Sequence, residues 1–110
     1  MKTSNALSDL LEKSLTGRGA RLLSGQDVKA LIDFTQNKPF MLARVEAKRM
    51  EEHWQRDMAE YSIYGCLQKS GKGADFDKHQ MVLLFLKFDK EAQANEPHDI
   101  KYDIWMSKTD

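Results

Sequence analysis

Cysteine is almost missing from this chain: Cys66 is the only one in 110 residues. A lone thiol cannot close an intrachain disulfide, so stability has to come from a packed core. Long apolar runs are missing too. The longest, Met81 to Leu86, is far short of the ~18 residues expected of a membrane span. The N-terminal MKTSNALSDLLEK carries Asp9 and Glu12 and lacks the continuous apolar region of a secretory signal. These absences predict a cytoplasmic protein with no membrane partner. Net charge is also absent, with 17 Lys plus Arg against 17 Asp plus Glu. That excludes a global basic field for nucleic acid and a global acidic one for mimicry of it. Finally, no arginine occurs after the first 60 residues.

What is present suits one soluble domain spanning 1–110. The apolar fraction is 41% and the charged fraction 31%, ordinary for a globular chain of this size. In the first stretch Leu7, Leu10, Leu11 and Leu15 recur at helical spacing, which predicts a helix over 4–16 ended by Gly17. Ser24 followed by Asp27 reads as a capping box, with Leu23 and Val28 placed as a hydrophobic staple. A second helix should follow, buried through Val28, Leu31, Ile32 and Thr35, and be broken at Asn37-Lys38-Pro39.

From Pro39 to Glu60 the steps Ala43, Ala47, Met50, Trp54, Met58 and Tyr61 trace a helical seam, and good helix formers fill the rest. This predicts a long third helix. The same segment carries a conflicting signal, because Met41, Ala43, Val45 and Ala47 alternate as a strand would. Beyond Glu60 the reading turns to β. Tyr61 to Leu67, Gln80 to Phe88 and Ile100 to Ser107 are three candidate strands joined by polar loops. The expected fold is α+β: three N-terminal helices over 1–60, then over 61–110 a three-stranded antiparallel β-meander packed on the long third helix.

The middle strand is apolar on both faces, Val82, Leu84, Leu86 and Phe88 on one and Met81, Leu83 and Phe85 on the other. Alternation then gathers Tyr64, Leu83, Phe85 and Trp105 on the sheet face away from the long helix. Such a patch marks an interface, most simply of a homodimer, unless the first helix closes over it. The expected function is therefore a non-enzymatic interaction module, an inhibitor, adaptor or regulator.

Nucleic-acid binding is the alternative, through Arg18, Arg21, Arg49 and Arg56, since arginine suits phosphate contact. The first 60 residues hold ten basic and nine acidic side chains, which reads better as a mixed solvated surface. The glycine loop Gly65 to Gly73 has the wrong spacing for a phosphate loop. Cys66 has no base or electropositive neighbour in sequence to activate it. His53, His79 and His98 lie apart from any ligand spacing. No catalytic residue, metal or cofactor is expected.

Overall fold

Ser24 opens the second helix as its sequence requires. It adopts extended backbone angles, and its Oγ accepts a 3.1 Å hydrogen bond from the Asp27 amide. In the computed structural model, which describes residues 4–63, 78–95 and 100–108, this helix is α2 (Gly25–Thr35). It follows α1 (Ser4–Ser14) and a short strand β1 (Ala20–Leu23). Next come β2 (Phe40–Met50), β3 (Gln55–Asp57) and a 3-10 turn at Ala59–Tyr61. Helix α3 (Lys78–Asn95) and strand β4 (Ile100–Lys108) complete the order. The expected first strand, 61–67, begins in that turn, and Ile63 makes an isolated antiparallel bridge to Val45. Its remaining residues lie outside the described ones.

The fold is α+β, but two of the expected elements exchange type. The segment read as a long third helix forms the β2–β3 hairpin. The doubly apolar segment read as the middle strand lies within α3. Strands therefore occur within 1–60 and a helix within 61–110, so the expected helical and β halves are mixed. The sheet is four-stranded in the order β1-β4-β2-β3, antiparallel throughout. It is not a meander, because β4 inserts between β1 and β2.

The alternation in β2 prevails over its helix propensity because tertiary partners reward it. Leu42, Val45 and Ala47 face the core and pair in register with Met106, Ile104 and Tyr102 of β4. An irregularity between Leu42 and Arg44 shifts the phase. The good helix formers go to the opposite face and pair there. Lys48 Nζ donates to Asp57 Oδ1 at 3.0 Å across the hairpin and lies 3.8 Å from Asp103 Oδ2. Trp54, expected inside a helical seam, sits 60% exposed at the hairpin tip, where its carbonyl accepts from the Glu51 amide at 2.8 Å.

One core lies between the helices and the sheet. Val28 and Leu31 of α2, Met81, Phe85 and Ala92 of α3, and Ile100, Tyr102, Ile104 and Met106 of β4 all join it. Leu10 and Leu11 of α1 pack against the same core. The Phe85 and Tyr102 rings meet edge to face, 5.1 Å apart at 74°, a favoured aromatic geometry.

Two buried carboxylates tie these elements together. Asp89 of α3 accepts from the Tyr102 hydroxyl at 2.7 Å through Oδ1 and faces Lys29 Nζ at 3.2 Å through Oδ2. It also abuts the first turn of α2, where a Cβ on Gly25 would stand 2.6 Å from Oδ1. Only glycine allows that approach without rearrangement. The positive end of α2 is a favourable place for the negative charge. Asp103 of β4 does the same for β1. Its Oδ1 accepts from the Leu22 amide at 2.8 Å, and Leu22 has φ 57° at the irregularity between β1 and β4.

Replacing Asp89 with Ala should lower the unfolding free energy by about 3 kcal/mol in urea melts, since it orphans the buried Tyr102 hydroxyl and leaves Lys29 uncompensated. Asp89→Asn, which retains an acceptor, should cost less. Stability should also fall as pH rises above about 10. Burial first, then the bond to Asp89, holds the Tyr102 hydroxyl protonated above its ordinary 10.0. The unfolded chain releases that proton earlier. Lys48 acts with the same sign. Its hydrogen bond to Asp57 leads the effects that hold the ammonium above its ordinary 10.5, against an opposing contribution from burial. Absorbance at alkaline pH should show Tyr102 ionising only with unfolding.

Candidate interaction site on helix α3

Helix α3 is apolar on all sides from Met81 to Leu86. Met81 and Phe85, one turn apart, point into the core at 0% exposure. Val82, Leu84 and Phe88 are half-buried at its flanks and pack against that core. Leu83 and Leu86 point outward at 53% and 38% exposure. Surface helices normally turn polar residues to this side, and a helix apolar all round is normally covered all round.

Beside the two leucines runs a groove between α2 and α3, with a volume of about 400 Å³. Ile32 and Thr35 form its α2 wall, and Val82, Leu83 and Leu86 its α3 wall. Lys78, His79, Asp33 and Gln36 supply polar groups around it. Lys78 is held in place, because its ammonium donates to the carbonyls of Thr35, Gln36 and Lys38 at 2.6, 2.9 and 2.8 Å. That cation closes the carbonyl end of α2 and fixes the spacing of the two helices. On the other side of Leu83 a shallower hollow is lined by Gln80, Leu84 and Lys87. Leu83 is thus a ridge between two depressions.

The expected sheet-face patch does not form. Leu83 and Phe85 lie on a helix, where a two-residue step turns them far apart: Leu83 is exposed and Phe85 buried. Trp105 is on β4 as expected, on the face away from the core. There its Nε1 donates to the Gly17 carbonyl at 3.0 Å and the Arg44 guanidinium lies over its ring at 4.8 Å. Tyr64 lies outside the described residues, as do Cys66, the glycine loop and His98. The sheet face carrying Trp105 is polar, bearing Arg44 paired to Glu46, Lys48 to Asp57, and Arg21 to Asp103.

The four arginines proposed for nucleic-acid contact are not brought together. Arg18 and Arg21 stand at the β1 edge, and Arg49 and Arg56 face each other across β2 and β3 at the opposite edge. Three strand spacings separate these edges, roughly 14 Å. Arg21 lies 3.5 Å from Asp103, and Arg49 bonds Glu51 at 2.6 Å. Among the described residues no group of three or more His, Cys, Asp or Glu is placed to hold a metal ion. No described helix is long and apolar enough to cross a membrane.

Sequence reasoning missed Ile32 and Thr35 as groove residues and Leu86 as an outward partner of Leu83. The signal was the series Phe85, Asp89, Ala92, whose last step of three residues keeps all three on one side only in a helix.

Truncating Leu83 to Ser should change stability by no more than about 0.5 kcal/mol, as expected at an open surface. Phe85→Ala should cost about 3–5 kcal/mol. Denaturant titrations of both variants separate this arrangement from a strand, in which both residues would share a face. Searches against protein-family models, curated proteins and solved structures find no match to this chain.

Proposed function

We propose that the protein is a small non-enzymatic interaction module, an inhibitor, adaptor or regulator, that docks a protein partner on the outer side of α3. One observation carries this reading: Leu83 and Leu86 stand exposed on a helix segment that is apolar on every side, next to an apolar groove. Covering them would remove apolar surface from water at ~25 cal/mol per Å². An aliphatic ridge between two hollows also gives a partner side chain a defined seat. The docking surface is thus the outside of α3, in place of the sheet face expected from the sequence.

The occupant is either another protein or a second copy of the chain. Light scattering over a range of concentrations separates these. The homodimer form expects a concentration-dependent mass that Leu83→Asp with Leu86→Asp returns to the monomer. The partner form expects a monomer throughout. In that case, affinity capture from the native host should recover a partner that the folded double variant retains at least about tenfold less. A strictly monomeric protein whose captured set is unchanged by the double substitution contradicts the proposal.

A further inference from the structure

The charges around α3 narrow the chemistry of its partner, on the reading that this helix is the docking face. At 100° per residue, the outward line through Leu83 passes through Leu86, Lys87 and Lys90. Lys87 and Lys90 are both exposed, one turn and two turns beyond Leu83. His79, also exposed, stands one turn before it. Two acids lie nearby: Asp33 on the α2 wall and Glu91 at the margin of the line. Two lysines thus stand on the outward line itself and the two acids beside it, although the chain as a whole carries a formal charge of +0.

The size of the groove also bears on the occupant. At about 400 Å³ it has room for the side chains of one short segment. Two like-charged lysine lines would also face each other wherever two copies stacked α3 on α3.

We infer that the segment seated on α3 is an acidic amphipathic helix of another protein. Its apolar side chains enter the α2–α3 groove beside Leu83, and its Asp or Glu residues face Lys87 and Lys90. Helix-in-groove recognition reads apolar anchors at i, i+3, i+4 and i+7, which matches a ridge flanked by two hollows. Opposite charge at the rim sets orientation and rejects basic competitors.

The test uses the full chain and three synthetic peptides of about five helical turns. One has Leu at i, i+3, i+4 and i+7 with Glu and Ala elsewhere. The second has Lys for every Glu, and the third has Ser for every Leu. Amide chemical shifts locate binding, and titrations give affinity. The acidic leucine peptide should perturb residues of α3 around Leu83 and of α2 around Ile32, and bind at least about tenfold more tightly than the other two. Lys87→Glu with Lys90→Glu should weaken it by about tenfold and reverse its preference over the lysine peptide. Added salt should weaken it as well. Equal or tighter binding of the lysine peptide to the same residues overturns the acidic partner while leaving α3 as a docking face. So does self-association through Leu83 and Leu86. If no peptide perturbs α3 and the chain does not self-associate, both readings fall.

Discussion

The bond between Asp89 and Tyr102 constrains more of this molecule than any other contact. A carboxylate at 4% exposure is costly to bury unless its oxygens are satisfied. Here three elements meet at it. Tyr102 reaches it from the central strand β4, Lys29 from α2, and α3 carries it. The requirement fixes the rotation of α3 about its own axis. Once Asp89 faces Tyr102, Phe85 and Met81 must face the core on the preceding turns, and Leu83 and Leu86 must face out. It also fixes the N-terminus of α2, because Gly25 leaves room for the carboxylate. The open apolar ridge is thus a consequence of how the core is tied.

The polar side of the sheet follows a similar logic. Asp103, also buried, engages the backbone of β1 and lies near Arg21 and Lys48. Arg44, Glu46 and Lys48 of β2 and Asp57 of β3 gather there in mixed pairs, so this face satisfies its own charges. Exposed pairs of this kind contribute little stability individually. They do remove the need for a partner on that face, whereas on the outside of α3 two exposed leucines adjoin a groove.

Helices α1 and α2 and strand β4 were legible in the sequence because each carries one unambiguous period or cap. Ser24 with Asp27 placed the start of α2, and the alternation Ile100, Tyr102, Ile104, Met106 placed the core side of β4. The two exchanged elements were not legible, for opposite reasons. In 39–60 the propensities of Glu46, Lys48 and Arg49 favoured helix, and the partner strand that outweighs them, β4 with Asp103, lies far off in the chain. In 80–88 every position is apolar or at a margin, and a short apolar run fits a buried strand or a buried helix equally well. The decisive residue, Asp89, stood one position beyond the run. The geometry of that run was misread, so Leu83 belongs to the candidate site while Phe85 belongs to the core.

The central claim is that α3 holds an uncovered aliphatic ridge opposite its buried side. Methyl-resolved magnetic resonance with a soluble paramagnetic probe tests it most directly. The expected result is strong relaxation enhancement at the Leu83 and Leu86 methyls, protection at Leu31 and Leu42, and helical contacts from residue 80 to 92. Protection of Leu83 equal to that of Leu31, or strand-type contacts through 81–88, would contradict the account.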